Sequence, residues 1–193
     1  MSFVSFVSFV VRCRSPRANP YADHHPTARV EQAFELIAPP ELTRVDGFRF
    51  AHARVKGAYQ PWGRVATLDL VAETLEKHGV DRAGPAFGIY YDLPFSDNDV
   101  ETWRADLGYP IAPDATFHPV APLRVTDFPS VEAVGLSYRG DLTSFPGALQ
   151  FLVEWAAKKD ILLTGPLLER FHVSDALTGV EERDVWIALT LHE

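Results

Sequence analysis

The first half of the chain shows two strand patterns, a helix pattern and two further strand patterns in succession. Apolar residues recur at three- and four-residue spacing between Val65 and Leu75, which predicts an amphipathic helix over about residues 61–78. Pro61 suits the first turn of this helix. The predicted strands are Phe34 to Ile37, which the Pro39-Pro40 pair ends, Phe48 to Val55, Phe87 to Tyr91, and Val100 to Leu107.

The second half repeats the same order of patterns. A helix is predicted over about residues 145–158, with Ser144 or Thr143 as its N-cap. Residues 109–122 contain four prolines, and this composition indicates an extended connector between the halves. The predicted strands are Leu123 to Val125, Val131 to Tyr138, Leu167 to Val173, and Val185 to Leu191.

The two halves match each other closely enough to indicate an internal duplication. Two Gly-Pro pairs, at Gly84 and Gly165, lie 81 positions apart and each precedes a predicted strand. When the pairs are superposed, Glu169 falls opposite Gly88. The order of patterns predicts an α+β fold built from two pseudo-symmetric strand-helix-strand-strand repeats with antiparallel sheets.

Glu169 is the polar residue of most interest in this pattern. Side chains alternate along a strand, so Leu167, Glu169, Phe171 and Val173 are expected on one face, while His172 lies on the other. A carboxylate on an apolar face is costly to bury unless it has a partner, water or a ligand. Two interpretations stay open: a structural glutamate at a sheet edge or paired with an arginine, or a site acid that no structural ion pair holds.

Composition limits the kinds of partner. The 193 residues fit one domain, and 47% of them are hydrophobic. A net charge of −8 disfavours nucleic acid and membranes as partners and is compatible with a cationic small molecule. Cys13 is the single cysteine, so no internal disulfide can form. Residues 1–28 read as a disordered tail, and neither a metal site nor a cofactor is expected, His24-His25 included.

Four short motifs resemble a known family over about residues 32–192. They are KGAY at Lys56 to Tyr59, GPAFGIYYD at Gly84 to Asp92, LGYPI at Leu107 to Ile111, and GPLLERF at Gly165 to Phe171. With their order and spacing, the sequence resembles the GyrI-like small-molecule-binding domain. This is the effector-binding domain of multidrug-responsive bacterial regulators of the AraC and MerR types.

The resemblance implies a ligand cleft between the two repeats, with Glu169 as the central acid. Family members bind bulky, often cationic aromatic compounds, and the aromatic contacts expected here are Tyr59, Trp62, Tyr90, Trp103 and Phe171. Phe171 stands where the family usually has a tyrosine. Regulators of this kind also carry a DNA-binding domain, whereas only about 30 residues precede the match here, too few for a helix-turn-helix domain. A stand-alone, cytoplasmic domain over residues 29–193 is therefore expected, with halves at about 32–111 and 120–192.

Three functions are compatible with this resemblance. The first is sensing or sequestration of an aromatic cation, without direct contact to nucleic acid. The second is hydrolysis of cyclopropane-containing genotoxic natural products, in which Glu169 would be the catalytic group. The third is protein binding, with DNA gyrase or a regulator as the partner.

Overall fold

The computed structural model describes residues 34–57, 61–92, 104–141, 144–174 and 181–189. The predicted tail, residues 1–28, lies outside this set. The elements are β1 (Phe34–Val45), β2 (Phe48–Lys56), α1 (Pro61–Lys77), β3 (Ala86–Tyr90), β4 (Arg104–Ile111), β5 (Leu123–Phe128), β6 (Val131–Gly140), α2 (Phe145–Lys158), β7 (Leu167–Ser174) and β8 (Glu181–Ala188). Both helices therefore lie where the sequence predicts them.

All eight described strands form one antiparallel sheet, in the order β1-β6-β8-β7-β3-β4-β2-β5. The predicted α+β class and antiparallel pairing are confirmed. The repeats exchange their outermost strands, since β1 of the first half pairs with β6 of the second, and β5 of the second half pairs with β2 of the first. This exchange ties the two halves into one sheet.

The two repeats meet at the central pair of strands, β3 and β7. In this antiparallel pair Gly88 lies directly opposite Glu169. The same two residues are equivalent in the internal duplication, so the pseudo-twofold axis passes between them. A residue beside such an axis is close to its own counterpart, and only one of these two positions carries a side chain.

The two helices pack on one face of the sheet. Val71 and Leu75 of α1 cover the β2–β4 end, and Leu149 and Leu152 of α2 cover the β6 end. Leu68 of α1 also joins the α2 cluster, which places both helices on the same side. The opposite face, called here the helix-free face, carries an aromatic cluster that comprises Phe48, Phe50, Phe87, Tyr91, Phe128 and Trp186. Neither described helix is long and apolar enough to cross a membrane.

The Pro39-Pro40 pair does not end the first strand, contrary to the prediction. β1 continues through Pro39 and Pro40 to Val45, with two register shifts. It is an edge strand with solvent on one side, so missing N–H groups are tolerated there.

The predicted connector at 109–122 is wrong at its start, because β4 runs through Pro110 to Ile111. The Pro110 carbonyl accepts a hydrogen bond from the N–H of Ala83, a residue that precedes β3. The nitrogen and the carbonyl of one strand residue point to the same side, so the nitrogen of Pro110 also faces the segment before β3.

Two further details differ from the prediction. Strand β8 begins at Glu181 and not at Val185. Ser144 does precede α2, but its hydroxyl donates to the Asp141 carboxylate at 2.9 Å and makes no capping hydrogen bond to the helix.

We expect Gly108→Ala to destabilise the protein by about 1–3 kcal/mol, because a Cβ there would lie 2.0 Å from the backbone oxygen of Ala51. The control is Gly63→Ala in α1, where a Cβ meets nothing within 4 Å. That substitution should be neutral or stabilising by up to about 1 kcal/mol. Urea unfolding measures both, and equal effects would contradict the register of β2 and β4.

Candidate functional site

Glu169 lies on the helix-bearing face of β7, at the middle of the sheet and between the two helices. Its neighbour Leu167 on the same face belongs to the cluster that both helices touch. Glu169 is only 1% exposed. A carboxylate at this depth requires compensating donors.

Two donors satisfy the two carboxylate oxygens. Arg183 of β8 donates from Nη1 to Glu169 Oε1 at 2.8 Å, and its side chain is fully buried. The Tyr90 hydroxyl of β3 donates to Glu169 Oε2, also at 2.8 Å. The carboxylate is therefore held from both neighbouring strands by charge-assisted hydrogen bonds.

Further charged side chains contact this pair. The remaining side of the Arg183 guanidinium donates to Glu181, from Nε at 2.7 Å and also from Nη2. Arg64 of α1 places Nη1 3.9 Å from Glu169 Oε2 and Nη2 3.9 Å from Glu181 Oε2. Together with Glu169, these side chains form what we call the acid cluster: Glu169, Glu181, Arg64 and Arg183. It holds two carboxylates and two guanidinium groups.

One aromatic ring lies beside both cations of the acid cluster. The guanidinium carbon of Arg64 is 4.9 Å from the centroid of the Phe171 ring, and that of Arg183 is 5.5 Å away. Both distances are within the range of cation–π attraction. Phe171 thus supplies an aromatic surface for positive charge next to Glu169.

Gly88 allows Tyr90 to reach Glu169. A Cβ at Gly88 would lie 2.9 Å from Cε2 of Tyr90 and 3.2 Å from its hydroxyl oxygen. The Tyr90 ring therefore lies over the backbone of Gly88 and extends toward the opposite strand. The missing side chain in one repeat makes room for the tyrosine that binds the acid of the other.

Burial changes the acidity of the two tyrosines near the cluster. Desolvation, with the negative charge of Glu169 adding to it, raises the pKa of Tyr90 well above its usual value. Burial and Glu169 likewise raise the pKa of Tyr138, whose hydroxyl lies 3.5 Å from Nη1 of Arg183. Both hydroxyls therefore stay protonated and neutral at physiological pH.

The helix-free face carries two smaller polar clusters. Asp106 accepts two hydrogen bonds from Arg54 and one from Tyr91. Burial alone would raise the pKa of Asp106, but the hydrogen bonds from Arg54, the imidazole of His52 at 3.5 Å and the hydrogen bond from Tyr91 outweigh it and hold the pKa well below its usual value. Asp184 accepts from Ser137, Arg170 and His172.

These two clusters do not form a nucleophile and base pair. In the second cluster the aspartate contacts both Ser137 and His172, whereas a catalytic serine would need to contact the histidine. An open groove of about 370 Å³ lies on the same face and is lined in part by Phe87, Arg170 and Trp186. None of the sequence-predicted site residues lines it.

The structure brings three of the predicted site residues together: Glu169, Tyr90 and Phe171. Tyr59, Trp103 and the side chain of Trp62 lie outside the described part of the chain. Of the two interpretations left open for Glu169, the contacts show an arginine partner, so the expectation of an acid free of any ion pair is wrong. His172 contacts Asp184 on the opposite face, as strand alternation predicts.

The site residues predicted from sequence do not include Arg183 or Arg64, although the strand and helix patterns indicate that both lie on buried faces. Arg183 alternates with Val185 and Ile187 along β8, so it interrupts an apolar face as Glu169 does in β7. A strand predicted to begin at Val185 leaves it out. Arg64 precedes Leu68 by one helical turn on the buried side of α1, whereas Val65 is 55% exposed.

Comparisons with known proteins place this geometry in a wider fold group. No protein-family model matches the sequence, and no curated protein matches it. Among solved structures, the C-terminal domain of EcmrR superposes with a TM-score of 0.66 and 12% identity, over 81% of this chain and 100% of that domain. EcmrR bound to DNA also matches, with a TM-score of 0.65 and 12% identity over 79% of this chain, which spans 58% of that longer one.

Two other structures share the fold. A hydrolase from Listeria innocua matches with a TM-score of 0.54 and 14% identity, over 80% of this chain and 93% of that one. SAV2435, in a structure bound to tetraphenylphosphonium, matches with a TM-score of 0.50 and 9% identity, over 79% and 94% of the two chains. At these identities the similarity shows the fold alone, which is consistent with the GyrI-like fold of these neighbours.

We expect Glu169→Gln to lower the free energy of unfolding by about 2–4 kcal/mol, because it removes one partner of a fully buried ion pair. The matched control is Glu182→Gln, which removes the same charge from a half-exposed pair with Arg139. That control should change stability by less than about 0.5 kcal/mol. Equal stabilities of the two variants in urea unfolding would contradict the buried pair.

The raised pKa of Tyr90 predicts a loss of stability in alkali. In the unfolded chain Tyr90 ionises near the ordinary tyrosine pKa of 10.0, whereas in the folded protein it stays protonated. Its contribution is thus complete below about pH 10 and is lost as the pH rises toward the folded pKa. The stability advantage of the wild type over Tyr90→Phe should shrink by about 1.4 kcal/mol per pH unit above pH 10. A constant difference between pH 9 and 11 would contradict this.

Proposed function

We propose that this chain binds a bulky aromatic cation at the acid cluster, between its two repeats, and so senses or sequesters that compound. The observation that carries the proposal is a carboxylate, Glu169, buried at the pseudo-twofold axis beside the face of Phe171. A buried carboxylate attracts positive charge more strongly than an exposed one, since water screens it less. An aromatic face adds attraction for the same charge and for a ligand's rings.

The proposed contacts are Glu169 as the counter-charge and Phe171 and Tyr90 as aromatic surfaces. Tyr59, Trp62 and Trp103 are further proposed contacts and rest on the sequence pattern alone. SAV2435, which shares the fold, binds tetraphenylphosphonium, a compound of four phenyl rings around a positive charge. Tetraphenylphosphonium is therefore a suitable probe for this chain.

Binding is a better match to the contacts than hydrolysis. A general base needs a carboxylate that is free to take a proton. Here Arg183 and Tyr90 each donate a hydrogen bond to one oxygen of the Glu169 carboxylate, so both oxygens already have a partner. No contact of the described residues favours a protein partner such as DNA gyrase.

The test compares Phe171→Leu with the wild type in calorimetric titrations with tetraphenylphosphonium. Loss of the aromatic face should weaken binding by about 5- to 20-fold, the range expected for a partly desolvated cation–π contact. Binding of triphenylphosphine oxide, which has a similar shape and no net charge, should weaken less than about 3-fold. The control is Phe128→Leu, an equal change in volume on the helix-free face, which should leave both affinities unchanged.

Two outcomes would overturn the proposal. If Phe128→Leu weakens binding as much as Phe171→Leu, the probe binds elsewhere. If incubation with aromatic natural products yields a hydrated product by mass spectrometry, the chain is a hydrolase and Glu169 must be assigned a role in turnover.

A further inference from the structure

The acid cluster already contains an internal cation in the position where a ligand's positive charge would bind. Arg64 has the three contacts that recognition of an aromatic-stacked cation requires: a carboxylate oxygen of Glu169, one of Glu181, and the ring of Phe171. These contacts connect α1 to β7 and β8. The guanidinium therefore neutralises the same charges that an incoming cation would use.

The two arginines of the cluster are held very differently. Arg183 is fully buried and donates at hydrogen-bond distance to both carboxylates. Arg64 is 12% exposed in its side chain, and its nitrogens lie 3.9 Å from the same carboxylates, which is longer than a hydrogen bond. Of the two, Arg64 has the weaker contacts and the nearer access to solvent.

The residues that anchor α1 to the sheet lie away from Arg64. Helix α1 is anchored farther along by Val71 and Leu75, which are 0% and 1% exposed. Arg64 lies in the first turns, next to Gly63, around which a Cβ would meet nothing within 4 Å. A long arginine side chain has several rotatable bonds and can move its charge into water while its backbone stays in place.

We infer that Arg64 is an internal competitor for the cation subsite and that a cationic ligand binds by displacing its guanidinium from Glu169 and Phe171. With Arg64 in place, the charges of the acid cluster cancel. With Arg64 displaced, the two carboxylates face one fixed cation, and the cluster has a net charge of −1. Competition from Arg64 thus weakens the binding of cations, whereas it has little effect on the binding of neutral ligands. This inference rests on the proposed function of the same site.

The first test is the affinity of Arg64→Gln for tetraphenylphosphonium, measured by calorimetric titration. Removal of the competing charge should tighten binding about 10-fold, whereas the affinity for triphenylphosphine oxide should change less than 2-fold. The control is Arg139→Gln, which removes an equal charge from a half-exposed pair with Glu182 and should leave both affinities within 2-fold. Unchanged or weaker cation binding by Arg64→Gln would overturn the inference.

A second test does not depend on the aromatic ligand. In Arg64→Ala, the space of the guanidinium is open, and methylguanidinium at about 20 mM should raise the melting temperature by at least about 1 °C through binding to the folded state. The wild type and Arg139→Ala should show no such rise. The rise without any tetraphenylphosphonium binding would refute the proposed aromatic ligand and leave only the assignment of Arg64 as the occupant of a cation subsite. Binding of the probe by the wild type without the rise would refute the inference alone.

Discussion

The buried ion pair between Glu169 and Arg183 is the interaction on which the arrangement at the centre of the molecule depends. Both side chains are removed from water, and their attraction offsets the cost of desolvation only if the remaining donors and acceptors are also paired. That requirement determines the neighbours. Tyr90 of the other repeat donates to the second oxygen of the Glu169 carboxylate, and Glu181 accepts from the other side of the Arg183 guanidinium. Packing at the junction of the repeats is thus linked to a chain of polar contacts that has to form as a unit.

The internal duplication explains why the acid stands alone on the axis. Two identical side chains facing each other across β3 and β7 would place like charges in contact, which is unfavourable in a buried sheet. Gly88 removes one of them, and the freed space admits the Tyr90 ring. The exchange of β1 and β5 between the repeats holds the two halves in the single sheet that this pairing needs.

This chain shares its fold with the EcmrR domain at only 12% identity. Within such a fold, a few residues determine the charge of the candidate site. In this chain the carboxylates of the acid cluster are balanced by arginines of its own, one fixed and one loosely held. For the cation proposed as the ligand, the net attraction would be the difference between its interaction with the acid cluster and that of Arg64 with the same cluster. The proposed site would then discriminate by charge and ring contacts together.

The sequence by itself determined the helices, the antiparallel α+β class, the duplication and the position of Glu169 on an apolar strand face, because these follow from local periodicity and from turn residues. It could not decide which side chains surround that carboxylate. Arg183 belongs to a strand whose start the pattern did not reveal, and Arg64 is more than one hundred residues away in sequence. Alternation tells which face a residue occupies, whereas the choice between an ion-paired and a free acid depends on side chains from other strands and a helix. Only the tertiary packing brings those within reach, and the same packing places β1 at an edge where its prolines are tolerated.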